Sequence, residues 1–336
     1  MKGAALWRFA GPCLFVALSV GFATLVFFSG CSNKVVTPVY TPQQIARGEY
    51  LANFVSACVD CHTPLNPDGS LDTSRLFAGG REFIPGKERS ANITPDPNTG
   101  IGRWTDDQIV LAIKRGLGHF EMNPNGQPLV PIMPYYVYAN MTDDDARAIV
   151  AYLRTKVRPV RNQVLMPDPS VVPPQPAPPL NYHTLPGNDN DPGKYLTSAA
   201  GVCIECHTPR RSQNPADLDP TKFFAGGEPF PIPNIGTVYS ANITPDAKTG
   251  IGNWTVDQIV VALTQGKDAM GHDLCPPMGP LAKGLFSHMS PSDLNNIANF
   301  LKTVPPVNNP VPECPLHMSA SPRSPESRFA LLVLAR

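Results

Sequence analysis

A Cys-x-x-Cys-His motif occurs twice in this 336-residue sequence, at 58–62 and at 203–207. Chance predicts only about 0.004 such motifs in a chain of this composition. Two thiols at this spacing can add across the vinyl groups of a haem, and the adjacent imidazole can then bind the iron. A thioredoxin-like redox pair would require βαβ surroundings, and half a zinc site would require more nearby ligands. The sequence therefore predicts two covalently bound haems c, attached through Cys58, Cys61 and His62, and through Cys203, Cys206 and His207.

The two motifs belong to a longer internal repeat. Ser-Ala-Asn-Ile-Thr-Pro-Asp occurs at 90–96 and at 240–246, and each copy is followed by Thr-Gly-Ile-Gly-x-Trp-Thr, at 99–105 and at 249–255. A Phe-Ala-Gly-Gly tetrapeptide precedes each of these segments. A repeat of this kind indicates one structural unit that the chain uses twice.

Proline-rich sequence separates the two copies. Residues 167–180 read PDPSVVPPQPAPPL, a composition that favours extended polyproline II over helix or central strand. We interpret this segment as a semi-rigid linker or an interdomain strap. The predicted organisation is an N-terminal signal or anchor segment 1–31, a first haem-binding domain 41–160, a linker 161–186, a second haem-binding domain 187–305 and a poorly ordered tail 306–336.

Helix signals recur at matching places in the two copies. An N-capping residue followed by proline predicts a first helix after Thr41 and after Asp191. Thr-x-x-Gln capping boxes predict a middle helix after Thr105 and after Thr255. A further cap opens a last helix with one apolar face in each copy. Because alternating strand patterns are absent from the sequence, the predicted fold class is all-α, with two tandem domains of short helices and long Pro/Gly-rich loops around one haem each.

The sixth ligand of each iron decides between an electron carrier and a catalyst, because a methionine thioether closes the iron and raises its potential. Met133 and Met278 each lie 71 residues after the motif histidine and beside proline, in stiff irregular backbone. Met141 and Met289 precede helix caps and are interpreted as packing residues. The predicted iron ligands are therefore His62 with Met133 and His207 with Met278.

The first thirty residues predict an export signal, because Lys2 and Arg8 precede an uncharged apolar stretch over 9–28. Ser-Gly-Cys at 29–31 resembles the bacterial lipobox, in which cleavage leaves Cys31 lipidated. Without cleavage, the apolar stretch is long enough to span a bilayer. Both alternatives predict export to the periplasmic side of a bacterial cell envelope and tethering to the membrane. Basic and acidic residues number 27 each, so no global field favours nucleic acid.

Two cysteines remain outside the signal and the motifs, Cys275 and Cys314. An oxidising compartment would permit a disulfide between them, but the sequence leaves the pairing open. Cys275 also lies three residues before Met278. Its thiolate is therefore an alternative ligand for the second iron.

These features together resemble the class I cytochrome c fold in tandem, with a CxxCH motif near the end of a first helix, a methionine on a proline-flanked loop and an aromatic residue in the last helix. The resemblance covers residues 41–305. It implies that a glycine of the first helix packs against an aromatic residue of the last one, Gly48 with Tyr152 and Gly193 with Phe300.

The segment around each tryptophan is similar to the cytochrome subunits that accept electrons from membrane-bound alcohol, aldehyde and sugar-acid dehydrogenases. In such proteins polar loop residues and a tryptophan lie near the haem propionates. The similarity implies this place for Asn92, Thr94, Trp104, Asn242, Thr244 and Trp254. For the two tryptophans, ordinary core packing is an equal alternative.

The resulting hypothesis is a dihaem electron carrier that takes electrons from a dehydrogenase or quinol-oxidising partner and passes them to another cytochrome or a terminal oxidase. On this hypothesis the chain itself transforms no substrate. The alternative is a haem enzyme, either a dihaem peroxidase or a sulfur-compound dehydrogenase, with one labile axial ligand. Cations before the middle helix of the first copy predict a higher potential for the first haem, since positive charge disfavours ferric iron; these cations are Arg81, Lys87, Arg89 and Arg103.

Overall fold

The computed structural model describes residues 39–119, 126–232 and 234–318, and the predicted export signal lies outside them. The described residues from Tyr40 onward form one compact unit. One cluster of buried side chains includes residues of both copies of the repeat, and the division into two cytochrome domains stays a prediction. Within the described part of the chain, no helix is both long enough and apolar enough to cross a membrane.

The described residues are rich in short helices. Those of the first copy are α1 (Pro42–Tyr50), α2 (Cys58–His62), α3 (Asp106–Arg115), α4 (Tyr135–Tyr138) and α5 (Asp143–Thr155). Those of the second copy are α6 (Pro192–Ser198), α7 (Cys203–Cys206), α8 (Val256–Gln265), α9 (Met278–Gly284), α10 (Pro291–Leu301) and α11 (Pro315–Met318). A π-helical turn, Leu51–Val55, follows α1. Turns of 3-10 helix occur at Thr73–Arg75, Tyr182–Thr184 and Phe286–His288. The helical scaffold agrees with an all-α cytochrome fold.

Three antiparallel two-stranded hairpins accompany the helices of the described residues. They pair β1 (Glu82–Ile84) with β2 (Glu88–Arg89), β3 (Leu117–Gly118) with β4 (Gln127–Pro128), and β5 (Pro229–Ile232) with β6 (Gly236–Tyr239). The sequence analysis missed these hairpins, because strands of two to four residues are too short to show an alternating pattern.

The predicted caps are confirmed. The side chains of Thr41 and Asp191 accept hydrogen bonds from backbone N–H groups of α1 and α6. Thr105 and Thr255 form complete capping boxes with glutamine three residues later, at the starts of α3 and α8. These caps satisfy N–H groups that have no partner within the helix. Local sequence therefore determines where these helices begin.

The resemblance implies a CxxCH motif near the end of the first helix, whereas α1 ends at Tyr50 and the first motif lies on the separate helix α2. After α1 the backbone passes through the π-helical turn and then through Ala57, which has a left-handed φ of 51°. A residue other than glycine rarely adopts this conformation. The motif therefore occupies a helical turn separate from α1.

The first and last helices of each copy cross at a glycine. A Cβ atom on Gly48 of α1 would lie 1.8 Å from the carbonyl oxygen of Ala148 in α5. A Cβ atom on Gly193 of α6 would lie 2.2 Å from the carbonyl oxygen of Asn296 and 2.4 Å from Cβ of Phe300 in α10. The expected contact of Gly193 with Phe300 is confirmed. In the first copy, Gly48 meets the backbone of α5 one turn before Tyr152.

The proline-rich segment between the copies lies against the first copy. Its Leu180 N–H donates to the carbonyl oxygen of Tyr136 at 2.8 Å, and Asn140 donates to the carbonyl oxygen of Leu180 at 2.9 Å. The Ala177 N–H donates to the Tyr135 hydroxyl at 2.8 Å. Tyr136 in turn donates to the carbonyl oxygen of Pro215 in the second copy, at 2.9 Å. The segment therefore lies as a strap along α4.

A cluster of hydrogen-bonded polar side chains connects two helices of the first copy with one helix of the second. Arg47 of α1 donates two hydrogen bonds of 2.8 Å to the two carboxylate oxygens of Asp145 in α5. The hydroxyl of Tyr195 in α6 donates to the same carboxylate at 2.6 Å. Burial alone would raise the pKa of Asp145, but the hydrogen bonds from Arg47 and Tyr195 outweigh it and lower this pKa below its usual value.

We expect Asp145→Asn to reduce the free energy of unfolding by about 1–2 kcal/mol at pH 7. A carboxyl whose folded pKa is depressed stabilises the protein above its unfolded pKa, near 3.8, and loses this contribution as the pH falls through the folded value. The difference between wild type and variant should therefore shrink at pH 3. Urea unfolding at both pH values measures it, and an equal difference at pH 3 and pH 7 would contradict the assignment.

Candidate functional site

Each CxxCH motif lies on its own short helix. α2 holds Cys58 and Cys61, and α7 holds Cys203 and Cys206, so that the two sulfurs of each pair lie on one helical face. All four are free, partly buried thiols. Burial raises the pKa of Cys58 and Cys61 to about 12 and that of Cys203 to about 11. The cysteines are therefore held as thiols on one turn, the arrangement that covalent attachment of a haem requires.

The motif histidines have the same hydrogen bond in both copies. His62 Nδ1 lies 2.7 Å from the carbonyl oxygen of Ala91, and His207 Nδ1 lies 2.8 Å from that of Ala241. Burial lowers the pKa of both imidazoles, which are therefore neutral and donate through Nδ1–H. Such a bond fixes the tautomer and leaves Nε2 with a lone pair for a metal. Both histidines thus have the tautomer that a metal-binding imidazole requires.

The Phe-Ala-Gly-Gly tetrapeptides place the carbonyl groups that receive these bonds. Gly79 donates its N–H to the carbonyl oxygen of His62 at 2.7 Å and has a φ of +69°. A Cβ atom on Gly79 would lie 2.4 Å from the Ala91 carbonyl. Gly226 makes the equivalent bond to His207 at 2.8 Å. Only glycine fits between the motif and the following loop without strain, which explains why the tetrapeptide recurs.

The predicted axial methionines lie at the edge of the hydrophobic core. Met133 and Met278 are partly buried and pack against the main cluster of apolar side chains. Met141 and Met289 are 2% and 6% exposed within that cluster, in agreement with a packing role. Met270 is 79% exposed, and Met122 lies outside the described residues. Axial ligation by Met133 and Met278 stays a prediction.

The polar side chains that were expected near the haem propionates make hydrogen bonds within the chain, and their place beside a haem stays a prediction. Asn92 donates to the carbonyl oxygen of Val160 at 2.8 Å, and Asn242 donates to that of Val307 at 2.7 Å. The side-chain oxygen of each asparagine accepts from the backbone N–H two residues later. Both asparagines are buried. Through these hydrogen bonds, both asparagines anchor the segment that follows the last helix of their copy.

Sequence analysis missed the partners of this anchor. Asn162 donates from its side chain to the carbonyl oxygen of Ala78 at 2.8 Å, and Asn309 donates to that of Ala225 at 2.9 Å. A repeated Pro-Val-x-Asn at 159–162 and 306–309 was the available signal. Both segments thus bind the Phe-Ala-Gly-Gly tetrapeptide of their copy. Residues 306–309 therefore contact the second copy, although the sequence analysis assigned them to the tail.

The two tryptophans pack against the hydrophobic core, and one of them contacts the ring of His119. Trp104 and Trp254 both border the main apolar cluster. The His119 ring meets that of Trp104 edge-on at 5.7 Å. Both ring nitrogens of His119 are buried, and neither has a hydrogen-bond partner among the described residues. Buried polar atoms without partners are rare in proteins, and they are compatible with a polar group of a bound cofactor.

Ionic side chains border both motifs, but they differ between the copies. In the first copy, Asp60 of α2 and Arg81 lie 3.2 Å apart, and Arg81 also donates to the Asp60 carbonyl oxygen at 2.7 Å. In the second copy, Arg210 pairs with Glu205 of α7 and, at 2.6 Å, with Glu228. Each motif therefore lies beside a buried ionic cluster.

The chain segments before the two motifs are hydrogen-bonded to each other. The Ser56 hydroxyl donates to the carbonyl oxygen of Ala200 at 2.6 Å, and the buried Tyr138 hydroxyl donates to the carbonyl oxygen of Ser56 at 2.7 Å. Ser56 lies two residues before Cys58, and Ala200 lies three residues before Cys203. The two attachment sites consequently adjoin one another across a buried contact between the copies.

A disulfide joins Cys275 and Cys314, which confirms this pairing. Cys275 is buried in a small cluster with Phe230, Ile232 and Val238, and Cys206 packs against that cluster. The disulfide therefore connects the loop before Met278 to the C-terminal segment close to the second motif. A disulfide-bonded Cys275 has no thiolate to offer the second iron.

Comparison with known proteins gives several relatives. The chain is 32% identical over 290 residues to a protein named alcohol dehydrogenase (quinone), cytochrome c subunit, of Gluconobacter oxydans (strain 621H), a match that covers 78% of this chain and 55% of that protein. It is 30% identical over 316 residues to the fructose dehydrogenase cytochrome subunit of Gluconobacter japonicus, covering 85% of this chain and 59% of that protein. No protein-family model matches the chain.

A further relative matches over almost its full length. It is a diheme cytochrome c-type protein of Cereibacter sphaeroides, 28% identical over 322 residues, with 87% of this chain and 99% of that protein covered. By contrast, the chain spans less than three fifths of the length of the two dehydrogenase subunits. These similarities extend over most of the chain.

Proposed function

The chain is a relative of the cytochrome c subunits of alcohol, fructose and gluconate dehydrogenases, and from this premise we propose that it is a dihaem electron carrier. It accepts electrons from a dehydrogenase or quinol-oxidising module and delivers them to another cytochrome or a terminal oxidase in the cell envelope. The Cereibacter relative, which the chain covers almost completely, is named as a diheme protein, and this supports two haems.

The observation that carries the proposal is the matched geometry of the two motif histidines. Both imidazoles donate Nδ1–H to a backbone carbonyl oxygen, at 2.7 Å for His62 and 2.8 Å for His207. Both stand one residue after a partly buried free thiol on a helical turn. A ligand histidine with its second nitrogen oriented in this way is the usual arrangement at metal centres. Its occurrence twice supports two equivalent haem sites.

The residues proposed to hold the first haem are Cys58, Cys61, His62 and Met133, and those proposed for the second are Cys203, Cys206, His207 and Met278. When bound, each haem supplies a reversible one-electron couple of iron. The protein contributes thioether attachment, two axial ligands and an apolar enclosure that excludes water. Two closed irons favour electron transfer over substrate binding, so the chain acts as a carrier subunit of an oxidoreductase complex.

Haem content tests this proposal. The protein produced in cells with c-type maturation should contain two haems per chain by the pyridine haemochrome assay. Cys203→Ala combined with Cys206→Ala should leave one haem, because thioether attachment is lost at one site. The matched control, Cys275→Ala combined with Cys314→Ala, removes the disulfide and should keep two haems. One haem in the wild type, or a high-spin ferric signal in the resting protein, would contradict a carrier with two closed irons.

We also propose that the chain is exported and tethered to the membrane through its N-terminal segment, by a lipidated Cys31 or by an uncleaved apolar helix. The sequence 9–31 supports this tether. The mass of the N-terminus of the purified wild type distinguishes the two: a chain that begins with a lipidated Cys31 indicates lipidation, and an intact segment 1–31 indicates the helix. Recovery of the wild type in the soluble fraction would contradict the tether. Isolation of the native complex from detergent-solubilised membranes would identify the dehydrogenase partner.

A further inference from the structure

The disulfide between Cys275 and Cys314 belongs to a second, smaller hydrophobic cluster that is separate from the main core. Besides Cys275, the buried members of this cluster come from the β5–β6 hairpin, and they are Phe230, Ile232 and Val238. The disulfide therefore has an apolar environment of its own within the second copy.

Three parts of the proposed second haem site border this cluster. Cys206, one of the two attachment cysteines, packs against it. The β5–β6 hairpin leads, two residues later, to the Ala241 carbonyl oxygen that bonds to His207. Cys275 itself lies three residues before Met278. The cluster thus connects the attachment cysteine, the segment that holds the ligand histidine and the loop of the proposed axial methionine.

The backbone around Cys275 forms a tight turn that places Met278 at the start of α9. The Cys275 carbonyl oxygen accepts a hydrogen bond from the Gly279 N–H at 3.1 Å. The Leu274 N–H donates to the carbonyl oxygen of Gly266 at 2.8 Å. A Cβ atom on Gly279 would lie 2.3 Å from the Leu274 carbonyl oxygen. Because the turn is this closely packed, a displacement of Cys275 also displaces Met278.

The first copy holds its methionine loop by different contacts. Val130 lies three residues before Met133, at the place of Cys275, and is 6% exposed. Residues 41–160 contain no cysteine outside the CxxCH motif. Tyr135 and Tyr136 follow the methionine, are each 1% exposed and are hydrogen-bonded to the proline-rich strap. This loop is therefore fixed without a covalent link, from the side that follows the methionine.

The second copy has less packing on that side. The buried residues of α9 are Gly279 and Ala282, which have little or no side chain to bury. Apolar area removed from water is the main source of packing energy, so these residues hold the loop less firmly than two buried tyrosines. The covalent link before Met278 is accordingly the counterpart of the strap in the first copy.

The other end of the disulfide is itself attached to the second copy. Asn309 donates to the carbonyl oxygen of Ala225 at 2.9 Å, and Asn242 donates to that of Val307 at 2.7 Å. Helix α11 begins directly after Cys314 and contacts β6. The disulfide therefore joins the methionine loop to a segment that hydrogen bonds fix on both sides of the site.

We propose that the Cys275–Cys314 disulfide is a positioning device that holds Met278 on the second iron as its axial ligand. A cross-link excludes loop conformations in which the thioether would lie away from the iron. Without it, the loop must lose more conformational entropy each time the thioether binds, and a competing ligand displaces the thioether more easily. The inference rests on the proposed dihaem function and adds two residues that act on the second haem alone.

The test is competition between Met278 and imidazole for ferric iron in the haem-loaded protein. The far-red band of methionine-ligated ferric haem reports each displaced thioether, and Met278→Ala identifies the half that belongs to the second haem. Cys275→Val combined with Cys314→Ala removes the cross-link and places at 275 the side chain that the first copy has at Val130. The second haem of this double variant should bind imidazole about tenfold more tightly than that of the wild type, and the first haem should be unchanged.

A matched variant separates positioning from a general loss of stability. Met289→Ala removes a side chain that is 6% exposed in the core of the second copy and leaves the disulfide and the methionine loop in place. It should lower the free energy of unfolding without changing the imidazole affinity of either haem. Every variant should keep two attached haems, because attachment depends on the motif cysteines.

The cross-link can also be cut after folding, which keeps the proposal testable if the double variant does not fold. Cys314 is partly exposed, so a phosphine reductant can reach the disulfide of the haem-loaded wild type. Iodoacetamide then caps both thiols, mass spectrometry confirms the two caps, and ferricyanide returns the irons to the ferric state. The same rise in imidazole affinity is expected at the second haem.

The outcomes distinguish this inference from the function on which it rests. A wild type with fewer than two haems, or without the far-red band, would contradict the proposed carrier. Two haems with an imidazole affinity of the second haem that loss of the cross-link leaves unchanged would overturn the inference alone. Equal increases at both haems, or the same increase in Met289→Ala, would show that the disulfide only stabilises the fold and would overturn it as well.

Discussion

Replacing Met278 by alanine is expected to remove about half of the far-red absorption band that methionine-ligated ferric haem gives. The reduction potential of one haem should fall by an amount on the order of 0.1 V, within the ~0.8 V range that axial ligands span. The thioether stabilises ferrous iron, and its loss leaves one position open. Met278 begins α9 and packs at the edge of the core. Absorption spectroscopy and a redox titration measure the two effects.

The chain contains matched methionine controls for this prediction. Met270 is 79% exposed, and Met270→Ala should leave the band and both potentials as in the wild type. Met289 is 6% exposed in the core. Met289→Ala should reduce the free energy of unfolding by about 2–5 kcal/mol through loss of packing, while the band keeps its full intensity. A full band in Met278→Ala would exclude this residue as the axial ligand, and Met133→Ala tests the first copy in the same way.

Replacing Gly48 by alanine is expected to destabilise the protein by about 1–3 kcal/mol or more. In an unobstructed helix the same substitution would stabilise by up to ~1 kcal/mol, because alanine has the higher helix propensity. Here the added methyl carbon would lie 1.8 Å from the Ala148 carbonyl oxygen, a distance that forces α1 and α5 apart. Denaturant unfolding of the haem-loaded protein measures the loss.

Gly193→Ala should have a similar effect in the second copy, where the methyl carbon would lie 2.2 Å from the Asn296 carbonyl oxygen. Gly284, at the end of α9, has no heavy atom within 4 Å of its built Cβ position, and Gly284→Ala is the matched control that should not destabilise. Equal unfolding free energies for the Gly48 and Gly284 variants would show that the helix crossing tolerates a side chain.

Much of the local structure could be predicted because neighbouring residues determine it. The capping residues Thr105 and Thr255 place helix starts through hydrogen bonds that span only three residues. The CxxCH motifs likewise need only one helical turn to bring two thiols and an imidazole together. The pairing of Cys275 with Cys314 was left open by the sequence, since it joins residues 39 positions apart.

The contacts that complete the sites could not be predicted in the same way, because their partners are far apart in the chain. His62 bonds to Ala91 across 29 residues, and Asn92 bonds to Val160 across 68. The resemblance placed Asn92 near the haem propionates, and nothing in the sequence indicated its hydrogen bond to the Val160 carbonyl oxygen. A short polar side chain looks the same in sequence whether it faces a cofactor or a backbone carbonyl.

The sequence by itself determined that the chain repeats one helical unit, that each copy holds a CxxCH motif and a methionine at equal spacing, and where most helices begin. Only the tertiary structure decided that both motif histidines donate Nδ1–H to a loop carbonyl oxygen. It also decided that the Ser56 hydroxyl bonds to the carbonyl oxygen of Ala200, and that Glu228 pairs with Arg210. The reason is physical: motifs and caps are set by covalent spacing and short-range hydrogen bonds, whereas the balance of buried charge depends on which distant segments the folded chain brings together.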